Sequence, residues 1–215
     1  MSNLKVEKGF IKKPYYYFCE ISDDYKPDEF LNEYEINIYQ SYKIPKRKRE
    51  WLCSRILAKK LISSIFKIQF KDITIKNDID RRPYAILGEK EKFYISISHR
   101  KGLAGVAFNS DLSPYIGMDI EAYEPIDKKM FSDFMSNNEI SNESDKIIEI
   151  WSIKESILKM CAKGLSLSAR DIECYDGECR VKGRVLDGLN SYKISKIYYD
   201  TIKKDNYFIS LCSGG

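Results

Sequence analysis

Apolar residues recur at helical spacing in three parts of the chain, and short β-rich runs fill the intervals. Pro27 followed by Asp28 and Glu29 suits a helix start, and Phe30, Leu31, Tyr34 and Ile38 continue it at helical intervals. Pro45 opens a longer pattern, free of Gly and Pro, in which Leu52, Ile56, Leu57, Leu61, Ile62 and Ile65 form one broad stripe. From Ile73 to Phe108 the texture changes to strands, predicted at Ile73–Ile75, Phe93–Ile97 and Ala104–Phe108, the last two pairing as a hairpin. A strand over Tyr115–Ile120 precedes Pro125, and a helical stretch is expected around Lys128–Met135. A long helix then runs from about Ser144 to Lys163 on the face of Ile147, Ile148, Trp151, Leu158 and Ala162, with Gly164 as its stop. Strands return at Ile172–Tyr175 and Glu178–Val181 around an Asp176-Gly177 turn signal, and again at Tyr207–Leu211.

Helix-then-strands thus occurs twice. The pattern predicts an α/β (α+β) protein of two similar halves, residues 1–110 and 111–215, although no sequence identity between the halves is evident. At 215 residues and 43% apolar, the chain is long enough to bury a core, which excludes a disordered protein. No run approaches the roughly 18 apolar residues of a membrane helix, so a soluble, cytoplasmic protein is expected. Six cysteines without a CxxC pair, and a single histidine, do not make the usual zinc spacing, and predict reduced thiols.

Charge changes the picture only locally. The net charge of +4 is too small for non-specific nucleic-acid coating, yet Lys43, Lys46, Arg47, Lys48, Arg49 and Arg55 gather at the start of the main helix, followed later by Arg81 and Arg82. Cations at the positive end of a helix dipole call for an anion. A solvated basic face or a nucleic-acid patch is the plain alternative, but the aromatic interleaving of RNA binders is missing, and compact phosphate binding fits better.

Three short segments carry the candidate chemistry. In Gly117-Met118-Asp119-Ile120-Glu121, strand alternation puts both carboxylates on one face about 7 Å apart, a hard-oxygen pair suited to magnesium, though such alternation ordinarily marks a solvated face. In Trp151-Ser152-Ile153-Lys154-Glu155-Ser156-Ile157-Leu158-Lys159, Glu155 and Lys159 share a helix stripe one turn beyond Trp151. An exposed ion pair is the ordinary reading of that spacing, and Lys154 reads as a solvated neighbour or a helper to a phosphate. In Ser96-Ile97-Ser98-His99-Arg100-Lys101-Gly102, adjacent Ser98 and His99 point apart on a strand end and no GxSxG elbow exists. Phosphate contact therefore fits better than hydrolase chemistry, with a structural histidine as the alternative.

The order of these elements, from the basic helix through Arg82-Pro83, Ser96–His99 and G-x-D-x-E to W-x-x-K-E-x-x-x-K, resembles the Sfp-type 4′-phosphopantetheinyl transferases over residues of about 45 to 165. The resemblance implies a pseudo-two-fold monomer with coenzyme A between the halves. It implies a magnesium set of Asp119, Glu121 and Glu155, pyrophosphate contact from Lys159, and coenzyme A phosphates held by Ser98 and His99. Arg82, Arg49 and Lys46 would receive the 3′-phosphate. Glu155 would take the proton of a serine on an acyl or peptidyl carrier protein, and Lys159 would stabilise departing 3′,5′-ADP. Nucleic acid and membrane are not expected partners. Two positions depart from the family pattern: Ala162 stands where a glycine is usual, and Arg81-Arg82-Pro83 replaces G-K-P. A member that binds coenzyme A without transferring it is therefore the alternative.

Overall fold

The protein is described by a computed structural model covering residues 3–88, 91–140, 143–161, 167–175 and 178–215. The architecture is mixed α+β. A first strand, β1 (Leu4–Lys8), is followed by β2 (Tyr15–Glu20), helices α1 (Pro27–Phe30), α2 (Glu33–Ser41) and α3 (Pro45–Phe66), and strands β3 (Ile73–Asn77), β4 (Pro83–Leu87), β5 (Glu91–Tyr94), β6 (Ser96–Arg100) and β7 (Leu103–Phe108). Then come β8 (Ile116–Ala122), α4 (Asn137–Ile140), α5 (Ser144–Met160), β9 (Ile172–Tyr175), β10 (Glu178–Val181), α6 (Gly183–Ser191), β11 (Ile197–Lys204) and β12 (Tyr207–Gly214).

Three sheets result, ordered β8-β12-β11-β1-β10-β9, β2-β7-β6 and β3-β4-β5. β1 lies in the middle of the six-stranded sheet, antiparallel to β10 and parallel to β11, far along the chain from its neighbours. Helix α3 packs Leu57, Ala58 and Ile62 against Ile73, Ala85, Phe93 and Val106, while α5 packs Ile147, Ile150, Ile153 and Ile157 against Val6, Ile172, Val181 and Ile197.

Several elements differ from the sequence expectation. The first helix is interrupted at Leu31, where Asn32 caps α2 by accepting from the Glu35 N–H at 3.1 Å while the Glu35 carboxylate accepts from the Asn32 N–H at 3.3 Å. The run Phe93–Ile97 is two strands in two sheets, β5 ending at Tyr94 and β6 starting at Ser96, with Ile95 between them. Around Lys128–Met135 only Lys128–Phe131 is helical, as a 3₁₀ turn. Ala162, Gly164 and Asp176-Gly177 lie outside the described residues. Cys174 and Cys179, directly opposite in the β9–β10 ladder, are joined as a disulfide rather than carried as thiols.

The two halves repeat one buried polar node, which sequence comparison missed. In the first, the Lys59 ammonium donates to the Phe30 and Phe70 carbonyls at 2.9 and 3.0 Å and to Glu35, whose other oxygen accepts the Ile75 N–H at 3.0 Å. In the second, the Lys154 ammonium donates to the Phe134 and Ala169 carbonyls at 3.1 and 3.2 Å and to Glu139 at 2.9 Å, and Glu139 accepts the Cys174 N–H at 2.8 Å. Both pairs are fully buried. Phe30-Leu31-Asn32-x-x-Glu35 thus matches Phe134-Met135-Ser136-x-x-Glu139, and in both copies the carboxylate also caps its own helix start. A charged pair is tolerated in such an interior because it is paired and hydrogen-bonded on both sides.

Candidate active site

The candidate residues converge where β8 meets α5 and β6. Gly117 makes the first contact possible: a Cβ there would fall on the Ser156 carbonyl oxygen and 2.8 Å from the Met160 nitrogen, so the α5 backbone lies directly on the strand. Asp119 and Glu121, two and four residues on, therefore face α5, which presents Trp151, Glu155 and Lys159 on one stripe. The face carrying Met118 and Ile120 packs over Gly105 of β7, whose missing side chain makes room for their tips.

Asp119 is buried. Its Oδ1 accepts from Lys159 Nζ at 2.6 Å and from Ser98 Oγ at 3.2 Å, while its Oδ2 is shielded from solvent without a hydrogen-bond partner among the described residues. Glu121 is held at both oxygens, by Trp151 Nε1 at 3.2 Å and by Arg100 Nε at 3.1 Å. Burial and the neighbouring Asp119 raise the Glu121 carboxyl to about 7, against the pull of Arg100, Lys159 and Trp151. Burial, then Asp119, also raises Glu155, opposed by Lys159. Asp119, Glu121 and Glu155 thus offer hard oxygen donors, and the buried Asp119 Oδ2 is an unsatisfied acceptor, so the chemistry of the set fits a divalent ion such as magnesium. Among the described residues no three metal-ligating side chains are gathered into a finished cage, because Lys159 and Arg100 engage two of the acids.

The cationic candidates divide. His99 sits half-exposed, its Nδ1 3.9 Å from Glu50, and burial lowers its imidazole, with Lys159 and Lys46 adding to the effect, so the ring is neutral near pH 7. Lys159, His99 and Lys46 therefore belong to one neighbourhood. Arg49 pairs with Asp23 at 3.0 Å, and Arg82 stacks 4.2 Å from the Tyr94 ring centroid while donating to the Pro114 carbonyl; the structure gives neither a contact with the acids. Lys154 is a correction to the sequence reading: it is fully buried in the polar node, not solvated and not turned to the site. Arg100 and Lys101 are also occupied, by Glu121 and Glu124.

Sequence reasoning missed the roles of Ser96, Trp151 and Arg100. The available signal was the alternation of Ser96 and Ser98 on one strand face, and of Trp151 with Glu155 on one helix stripe.

Two family models match the chain, one described as the 4′-phosphopantetheinyl transferase superfamily over residues 115–212 and one as 4′-phosphopantetheinyl transferase, N-terminal, over residues 28–111. Among curated proteins, the 4′-phosphopantetheinyl transferase ffp of Bacillus subtilis is 31% identical over 124 residues, 54% of this chain and 53% of that protein. The 4′-phosphopantetheinyl transferase Sfp of Bacillus subtilis strain 168 is 29% identical over the same shares. The chain thus spans about half the length of the curated relatives it matches. A holo-ACP-synthase structure from Plasmodium yoelii aligns with 46% of this chain and 91% of its own at 19% identity and a TM-score of 0.37. With one model on each half, and the G-x-D-x-E strand and W-x-x-K-E helix packed together inside the second, the chain belongs to the 4′-phosphopantetheinyl transferase superfamily.

Proposed function

We propose that this protein transfers the 4′-phosphopantetheine arm of coenzyme A to a serine of an acyl or peptidyl carrier protein, releasing 3′,5′-ADP. The observation that carries this reading is the meeting of Asp119, Glu155 and Lys159 across β8 and α5, with Asp119 Oδ2 buried and unpartnered. The activities printed for the Bacillus subtilis relatives support it.

In the proposed reaction the residues of this chain bind, orient and move one proton. Asp119, Glu121 and Glu155 would hold magnesium, which when bound neutralises phosphate charge. Glu155, directly or through a water, accepts the carrier serine proton. The freed serine oxygen then attacks the β-phosphorus. Lys159, already placed at the site by Asp119 and Ser98, stabilises the leaving 3′,5′-ADP. Neutral His99 donates one N–H to a phosphate oxygen, and Lys46, with Arg49 and Arg82 released from their present partners, supplies charge for the 3′-phosphate. The protein acts as a cytoplasmic monomer in this reading; among the described residues no helix is long and apolar enough to cross a membrane.

The test is intact-mass analysis of apo carrier proteins incubated with the protein, magnesium and coenzyme A. A gain of about 340 Da, the arm transferred in this chemistry, is expected, and it is lost with Asp119→Ala or Glu155→Ala. Full activity in either variant overturns the assignment. Coenzyme A binding with no gain on any carrier points instead to the binding-only alternative.

A further inference from the structure

Ser98 stands in the strand motif whose hydroxyl the family resemblance gives to a coenzyme A phosphate, but its surroundings give the hydroxyl a different task. A serine hydroxyl has one proton to donate and two lone pairs to accept with. Ser98 Oγ donates to Asp119 Oδ1 at 3.2 Å, and accepts from the Ile120 N–H at 3.2 Å and from Lys159 Nζ at 3.0 Å. All three capacities are filled by protein groups, and the residue is 6% exposed. A phosphate oxygen gains this hydroxyl only by displacing Asp119.

Two residues earlier, Ser96 Oγ accepts the Met118 N–H at 2.8 Å. Ser96 and Ser98 share a face of β6 by strand alternation, and Met118 and Ile120 are likewise two apart on β8. β6 is the edge of the β2-β7-β6 sheet and β8 is the edge of the six-stranded sheet, so the two serines satisfy outward N–H groups that no backbone ladder reaches. The seam between the halves is thus stitched by hydroxyls. Gly105, opposite Ser98 in the β6–β7 register, lets Ile120 close over the stitch, since a Cβ there would come within 2.8 Å of Ile120 Cδ1. Of the two serines, only Ser98 also touches Asp119 and Lys159.

We propose that Ser98 is a positioning residue: it locks the first half onto β8 and, through the same oxygen, fixes the Asp119 carboxylate by its Oδ1, leaving Oδ2 as the unsatisfied acceptor, and holds the Lys159 ammonium beside it. The proposal rests on the transferase reading for its kinetic consequence, but its geometric core does not. Ser98→Ala frees Asp119 to rotate and Lys159 to wander, whereas Ser96→Ala cuts an equivalent stitch without touching either.

The experiment compares Ser98→Ala, Ser98→Thr and Ser96→Ala in three measurements: carrier-transfer kinetics, calorimetric titration of coenzyme A, and calorimetric titration of magnesium or manganese without coenzyme A. Ser98→Ala is expected to lower kcat about tenfold to a hundredfold, the range of a small misplacement at a reacting centre, and to weaken the cation about tenfold. Its coenzyme A dissociation constant should stay within about threefold. Ser98→Thr should restore kcat and cation affinity, and Ser96→Ala should lower the melting temperature about as much as Ser98→Ala while keeping both. A coenzyme A dissociation constant raised tenfold or more with kcat preserved would make Ser98 a phosphate ligand and overturn the proposal. Equal losses in Ser96→Ala and Ser98→Ala would overturn it as well, leaving only a seam. If the wild-type protein modifies no carrier, the transferase reading has failed, and the cation titration of the two alanine variants alone decides on Ser98.

Discussion

Replacing Lys154 by alanine separates a structural lysine from a catalytic one. Its ammonium is fully buried and spends its three donors on Glu139, the Phe134 carbonyl and the Ala169 carbonyl. Removing it takes the neutralising ammonium away from the buried Glu139 carboxylate, which accepts from the Ser136 and Cys174 N–H groups. Breaking a buried pair in this way costs about 3–5 kcal/mol. Each orphaned carbonyl adds about 1–3 kcal/mol where water does not replace the donor. Against a total stability of about 5–15 kcal/mol, the variant should sit near the edge of folding. Equilibrium urea denaturation is the assay, with Lys59→Ala as the matched variant, since its node has the same partners in a half that carries none of the acids. Both variants should lose about 4 kcal/mol or more, and Lys154→Met with Glu139→Gln should recover part of the loss by removing both charges. A Lys154→Ala protein as stable as wild type within about 1 kcal/mol, yet unable to bind coenzyme A, would refute the reasoning and return Lys154 to the phosphates.

Other predictions follow from single contacts. Gly117→Ala must push α5 off β8, because the new Cβ meets backbone rather than a yielding side chain; a loss of about 1–3 kcal/mol and a larger proportional loss of kcat are expected, read by melting and transfer assays. Glu121 is protonated below about pH 7 and a cation needs it ionised, so magnesium affinity should rise severalfold between pH 6 and pH 8 by calorimetry, and Glu121→Gln should flatten the profile. The same carboxyl binds its proton more tightly folded than unfolded, so without cation it contributes a fall in stability as pH rises from about 4.5 to about 7, visible in the melting temperature. Reducing the Cys174–Cys179 bond, which closes a very short loop, should cost about 2 kcal/mol at most, measured as a urea midpoint with and without reductant.

The parts of this fold legible in the sequence are those where one residue type has one common use. The stripe from Leu52 to Ile62 and the G-M-D-I-E strand were readable because apolar periodicity and paired acids each carry their meaning locally. The buried nodes were not. Lys154 reads as a solvated neighbour or a helper to a phosphate, and Lys59, Glu35 and Glu139 give no signal at all, since nothing local to a helix shows that a partner waits on another element. Ser98 reads from the sequence as a phosphate contact, because its partners, the Ile120 N–H of β8 and the Asp119 and Lys159 side chains, lie on other elements. Leu4–Lys8 went unassigned because only Val6 of its five residues is buried, too little alternation to announce a strand. In the site, Asp119, Glu155 and Lys159 were assembled by Gly117, whose contribution is the absence of an atom.

The place of β1 in the middle of the large sheet sets an order on how the molecule is made. Leu4–Lys8 is synthesised well before its ladder partners β10 and β11, at Glu178–Val181 and Ile197–Lys204. Until the chain has been synthesised through β10 and β11, this strand lacks its ladder partners, while α3 and the sheets of the first half can already close around their own core. The second half then assembles around a strand that has been waiting for it, and the late pairing of β1 with β10 and β11 completes the sheet beside the helix that carries Glu155 and Lys159.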